Sequence, residues 1–185
     1  PSWAVASEAR RAHMKRVSDL MRTWADARGL DTMDVDRWAA TGLLHDCLRD
    51  EAHDILRALV GTPFLDLPGK ILHGPGAARK LQDEGVVDRE VLHAIRYHTL
   101  GSAEFGTVGL ALYAADFLEP GREMREDWRA DLREKVPADL PGVVREILSA
   151  RIGYLLDQNR PVRPETMEFW NRMSEGQPWA SASET

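Results

Sequence analysis

Apolar residues recur at three- and four-residue intervals through almost all of this 185-residue chain, and alternation at period two is scarce. That periodicity confines the chain to an all-α fold, in which each helix buries one stripe against its neighbours. Residues Ser7 to Arg28 read as one amphipathic helix, with Val17, Leu20, Met21 and Trp24 on one face and Gly29 as its stop. Asp34 or Asp36 is the expected cap of a second helix, which runs through Trp38, Leu43 and Leu44 to His45-Asp46. A third covers Glu51 to Val60, closed by Gly61-Thr-Pro63, and the stretch Phe64 to Gly69 reads as a loop. Short helices follow near Ala77–Glu84 and over Asp88 to Tyr97. Gly101 and Gly106 break the pattern before a strongly apolar helix from Val108 to Leu118. Pro120-Gly121 ends it and opens a polar, charge-rich connection. A long helix over Pro141 to Asn159 and a short one starting at Pro164 complete the set.

The apolar fraction of 43% and charged fraction of 29% are those of a globular chain that buries a substantial core. No internal repeat or linker divides it, so residues 1–175 are expected to form one helical bundle, with 176–185 as a flexible tail. No apolar run reaches the length of a membrane span. The lone Cys47 rules out an intramolecular disulfide and fits a reducing cytoplasm. A net charge of −6 without a basic block argues against a nucleic-acid surface, though not against a local pocket for a phosphorylated small molecule. Six tryptophans suffice to fill a core or to form the face of a homodimer, and the sequence leaves both open.

The chemistry centres on the adjacent pair His45-Asp46, with His13 before it and His73, His98 and Asp116 after it. Imidazole and carboxylate together make a mixed N/O site suited to a borderline or hard divalent metal. Each residue has a plainer explanation alone. His13 fits an exposed helix position, His45 a satisfied core histidine, His73 a turn cap, and His98 a helix C-terminus where the dipole favours imidazolium. Asp116 is harder to explain away. It stands in the apolar run Leu110-Ala-Leu-Tyr-Ala-Ala-Asp-Phe-Leu118, where an ionised carboxylate needs a strong partner. One shared metal centre would satisfy all these groups together. His53 and His93 lie in charge-rich contexts and read as surface or structural residues.

The order of these residues resembles that of the HD-domain metal-dependent phosphohydrolases, and more narrowly their YqeK-like branch, the symmetrical diadenosine tetraphosphate hydrolases. The matching motifs are Arg10-x-x-His13-x-x-x-Val17, Leu43-Leu-His-Asp46, His73-Gly74, His98-Thr-Leu-Gly101, Ala115-Asp-Phe-Leu-Glu-Pro-Gly-Arg122 and Arg163-Pro-Glu-Thr-Met167. The resemblance implies a single HD-domain helical bundle and a dinuclear centre. His13, His45, Asp46 and Asp116 would hold one ion, and His73, His98 and Asp46 the other, with Asp46 bridging. Iron is the first expectation, with manganese, cobalt or nickel as substitutes.

The implied reaction is hydrolysis of diadenosine tetraphosphate to two ADP through a hydroxide bridging the metals. Asp46 and Arg49 are the expected catalytic residues, and Arg49, Thr99, Gly101 and Arg122 the expected substrate contacts. Arg49 has a plainer role open to it, pairing with Asp46 or Glu51, and Arg122 another, pairing with Glu119. The chain departs from the family at Arg49, where Lys is common, at Leu100, where a small or polar residue is usual, and at Phe105, in place of Met. Two other classes compete. One is an HD enzyme acting on a nucleoside monophosphate, a deoxynucleoside triphosphate or a cyclic dinucleotide; the other is a non-catalytic metal- or nucleotide-binding regulator.

Overall fold

Helix starts are written by short polar side chains that accept the otherwise unpaired N–H groups of a first turn. The computed structural model describes residues 1–122 and 124–175, so the expected tail at 176–185 lies outside the described residues. Ser7 caps α1 (Glu8–Ala27), and Asp31, not Asp34 or Asp36, caps α2 (Thr32–Leu44). Asp88 caps α5 (Arg89–Tyr97) and Asp139 caps α8 (Leu140–Asp157). Each such cap contributes about 1 kcal/mol. Between them lie α3 (His53–Leu59), α4 (His73–Asp83), α6 (Thr107–Leu118) and α7 (Glu126–Lys135), and α9 (Pro164–Ser174) ends the order. There is no strand among the described residues, and the all-α reading holds.

Helix α6 is the centre. Every residue from Val108 to Ala115 is buried, as a helix that is apolar all round requires. It packs against α1, α2, α5, α7 and α8, and one apolar cluster runs from Met14 on α1 to Met173 on α9. A second, smaller cluster comprises Leu48, Leu56, Val60, Leu67, Ile71, Leu72 and Leu100. It underlies α3 and the segment expected to be a loop, which contains two 3₁₀ turns at Phe64–Asp66 and Gly69–Ile71.

Two elements depart from the sequence expectation. Helix α4 begins at His73, not near Ala77, because Pro75 sits in its first turn, where a missing N–H costs nothing. Gly74 is needed there: a Cβ would lie 2.7 Å from the Ile95 carbonyl oxygen. The charge-rich connection after Gly121 contains α7, of which only Leu132 is buried. Trp128 and the C-cap Val136 extend this thin apolar stripe, and polar contacts add to it. Arg129 donates to the Phe117 carbonyl and Arg133 to the Leu118 carbonyl, oxygens the C-terminal turn of α6 leaves unpaired.

The chain before α1 is tied to the turn after α2. Val5 N–H donates to the Cys47 carbonyl at 2.8 Å, Asp50 N–H to Val5 at 3.2 Å, and Ser7 N–H to Asp50 Oδ2 at 2.7 Å. This lacing sets the start of α1, and with it Arg10 and His13, against the His45-Asp46 turn.

Candidate metal centre

Asp46 follows the C-cap of α2 in a tight turn, and its neighbours split between the two apolar clusters: Cys47 packs into the larger and Leu48 into the smaller. The Asp46 carboxylate thus stands at their junction, with imidazoles arriving from both sides. Its Oδ1 lies 3.0 Å from His73 Nε2 and 3.4 Å from His98 Nε2. Its Oδ2 lies 3.6 Å from His45 Nε2 and 3.7 Å from His13 Nε2. Asp116, in the last turn of α6, brings its Oδ1 within 3.2 Å of His13 Nε2 and 4.0 Å of His45 Nε2. All six residues singled out in the sequence therefore converge. His53 is exposed on α3, and His93 bonds the Ser102 hydroxyl at 2.9 Å; neither faces Asp46.

The other ring nitrogens decide which face each imidazole presents. His45 Nδ1 donates to the Gly42 carbonyl at 2.7 Å, His73 Nδ1 to Lys70 at 3.0 Å, and His98 Nδ1 to Ile95 at 2.8 Å. His13 Nδ1 donates to the Glu119 carboxylate at 3.2 Å. A carbonyl or carboxylate oxygen only accepts, so in the neutral rings the proton sits on Nδ1 and all four Nε2 atoms are bare acceptors. Anchoring of Nδ1 by an oxygen acceptor is the arrangement that orients metal-ligating histidines. His73 Nε2 and His98 Nε2 face each other at 3.0 Å, and His13 Nε2 and His45 Nε2 are buried without a hydrogen-bond partner. With the rings neutral, lone pairs and carboxylate oxygens converge here, and this donor set fits divalent metal.

Electrostatics agree with a centre kept ready for cations. Burial of Asp46 opposes its ionisation, yet His45, His73 and His98 hold its carboxyl far below the ordinary range. Burial likewise opposes charge on Asp116, and His13, His45 and Arg122 overcome it. Burial lowers His45 to about 4, leaving a neutral ligand at pH 7, and it lowers His73 as well. His98 moves the other way: burial disfavours its charge, but the Asp46 carboxylate more than offsets that. Burial pushes the Cys47 thiol up to about 12, so it is no nucleophile at neutral pH.

The arginines are distributed differently from expectation. Asp46 is paired not with Arg49 but with Arg10, whose Nη1 lies 2.8 Å from Oδ2. The Arg49 side chain pairs with neither Asp46 nor Glu51; it makes no hydrogen bond or ion pair among the described residues, although its charge lowers His73. Arg122 Nη2 donates to Asp116 Oδ1 at 3.0 Å and to the Asp116 carbonyl at 3.1 Å, with Glu119 at 3.6 Å from its Nε. Asp116 is therefore not the isolated buried charge its apolar context suggested. Thr99 Oγ1 lies 3.2 Å from His98 Nε2. Gly101, at φ +84°, makes its close approach to the Phe169 ring.

Sequence reasoning left Arg10, Arg16 and Glu119 outside the site residues. Glu119 is 2% exposed and accepts from His13, from Arg16 Nε at 2.5 Å and from Gly121 N–H at 2.7 Å. Burial opposes its charge, but the Arg16 bond and these further donors bring it to about 2. The available signal was Arg10, His13 and Arg16 at spacings of three on one helix, which places them along one face.

Comparison with known proteins gives the same picture. Residues 10–134 match the HD domain family. The chain is 30% identical over 172 residues to the symmetrical bis(5'-nucleosyl)-tetraphosphatase of Staphylococcus aureus, covering 89% of this chain and 86% of that protein. It is 27% identical over 160 residues to the protein of the same name from Halalkalibacterium halodurans, covering 83% and 84%. A solved structure from Clostridium acetobutylicum, described as a predicted HD superfamily hydrolase involved in NAD metabolism, superposes with a TM-score of 0.78 at 24% identity, over 90% of this chain and 89% of that one. That likeness shows the fold. Four anchored imidazoles around one carboxylate, the domain match and these relatives lead to one assignment: the chain belongs to the HD-domain family and, within it, to the family of the symmetrical bis(5'-nucleosyl)-tetraphosphatases.

Proposed function

We propose that this protein hydrolyses diadenosine tetraphosphate between its central phosphates, yielding two ADP. The observation that carries the reading is the convergence of four Nε2 atoms on the two oxygens of Asp46, with Arg10 and Arg122 bonded to the carboxylates. His13, His45, Asp46 Oδ2 and Asp116 would hold one divalent ion, and His73, His98 and Asp46 Oδ1 the other. Iron is the first candidate, with manganese, cobalt or nickel as alternatives. Such ions supply Lewis-acid neutralisation of phosphoryl charge and a lowered pKa for water.

The chain's own groups do the rest. Arg10 and Arg122 border the side of the centre formed by His13 and Asp116, and Arg49 borders the side of His73. Cations on both sides of Asp46 suit a long polyphosphate laid across the centre, with its middle bridge over the carboxylate. Arg49, without a protein partner among the described residues, loses no existing bond when it meets a phosphoryl oxygen. Thr99 supplies a hydroxyl beside His98, and Gly101 lets the loop after α5 turn back onto Phe169. In the overall reaction the oxygen of one water joins a central phosphorus, and the bridging oxygen leaves with the other ADP.

Product analysis tests this. Metal-loaded protein is expected to give ADP as the nucleotide product. AMP plus ATP, no turnover, or faster turnover of a nucleoside monophosphate overturns the assignment.

A further inference from the structure

The two sides of the centre are built unequally. Three histidines are oriented the same way: each donates Nδ1–H to the carbonyl three residues earlier, at Gly42, Lys70 or Ile95. His13 is the exception, because its Nδ1 partner is the ionised carboxylate of Glu119, which comes from the end of α6. An anionic partner makes an imidazole a more electron-rich donor than a neutral carbonyl does. The His13 side also has four ligand atoms, two of them carboxylate oxygens: His13 Nε2, His45 Nε2, Asp46 Oδ2 and Asp116 Oδ1. The other side has three, His73 Nε2, His98 Nε2 and Asp46 Oδ1, with one carboxylate oxygen and the Arg49 charge acting on His73.

Guanidinium groups also touch the His13 side. Arg10 bonds Asp46 Oδ2 and Arg122 bonds Asp116 Oδ1, each through one oxygen. A carboxylate oxygen offers two lone pairs, so each can keep an arginine and still face an ion. Arg16 approaches Glu119 and not a ligand, and it holds that carboxylate charged and in place.

We propose that the two halves bind metal with unequal affinity, the His13 half first and more tightly, and that Glu119 is the positioning residue that sets the difference. This rests on the dinuclear reading above and goes beyond it, because a dinuclear centre can equally well fill both halves together.

The test is titration of the metal-free protein with Mn²⁺ alone, followed by calorimetry and by electron paramagnetic resonance, without substrate. Two classes of site are expected, one ion in each, with the magnetically isolated one-ion signal appearing first and the coupled two-ion signal later. Glu119→Gln, of similar size but neutral, is expected to weaken the tighter class about 10- to 100-fold, with little change in the weaker. His98→Ala is expected to remove the weaker class and keep the tighter, and it leaves Glu119 untouched should the first variant fold poorly. Two equivalent ions in the wild type, equal weakening of both classes by Glu119→Gln, or loss of the tighter class in His98→Ala would each overturn the inequality while leaving a dinuclear centre. A single ion in the wild type would overturn the dinuclear reading itself.

Discussion

The two apolar clusters hold the metal centre by different means. The larger is a set of long helices around α6, and His13 and Asp116 project from regular turns of α1 and α6, braced along their whole length. The smaller cluster holds His73 through a 3₁₀ turn and the short helix α3, with few buried side chains and many exposed ones around them. On the first side long packed helices set the positions and Glu119 aims His13; on the second, local backbone geometry and the Lys70 carbonyl aim His73. Asp46, just ahead of Cys47 in the larger cluster and Leu48 in the smaller, faces histidines from both sides. The two sides should therefore fail differently.

The largest effect is expected where they meet. On the proposed dinuclear reading, Asp46→Asn should lower turnover by more than about 10³-fold, because a neutral amide would not bind and bridge two cations. Elemental analysis should show metal lost from the protein, and wild-type metal content would break the bridging role.

Next comes Leu112→Ala in the middle of α6, expected to cost about 3–4 kcal/mol in denaturant unfolding because the cavity is walled on every side. Leu56→Ala in the small cluster should cost less, about 2–3 kcal/mol, since short elements near the surface can settle into the space. Reversal of that order would contradict the contrast between the clusters.

The third test is acidification of the metal-free protein. His45 titrates near 4 when folded and near 6.5 when unfolded, so between those values the unfolded chain binds more protons and stability falls with pH. His73 acts in the same direction, while His98, raised by Asp46, acts against them. The His45 contribution alone reaches about 3 kcal/mol. Below pH 4 protonation of Asp46 and Asp116, both depressed in the fold, extends the loss. A melting temperature that stays level or rises from pH 6.5 to 4 would show that the imidazoles are not held neutral by burial.

Smaller still, Arg49→Ala should reduce kcat/KM for diadenosine tetraphosphate about 10- to 100-fold, the value of a charged hydrogen bond, with little change in melting temperature. A stability loss without a kinetic one would make Arg49 structural. The smallest effect belongs to His53→Ala, exposed on α3 and expected to change stability by less than about 0.5 kcal/mol and metal content not at all.

The sequence was most legible where one physical signal dominated. The apolar run from Val108 to Leu118 could only be a buried helix, and Asp116 stood out because it interrupted that run. The helix α7 escaped notice because its apolar stripe is thin, Trp128, Leu132 and the C-cap Val136 in a run of charges, and the arginine-to-carbonyl bonds that also hold it leave no periodic trace. The partners of Asp46 were equally hidden. Arg49, three residues on, was the obvious candidate from spacing, whereas the arginine that bonds it comes from 36 positions earlier on another helix. Glu119 was legible as a turn residue but not as the anchor of His13, since 106 positions separate them.

The carbonyl three residues before His45, His73 and His98 has a consequence for how such a centre can arise. In each case one turn of chain carries both the imidazole and the group that aims it, so a single substitution to histidine at a comparable turn arrives already oriented. His13 has no such inheritance. Its aim depends on Glu119, and the charge of Glu119 depends on Arg16, so three residues on two helices must change together. The three self-aimed histidines are portable pieces that a helical scaffold could acquire one at a time; the fourth binds the lineage to this particular crossing of α1 and α6.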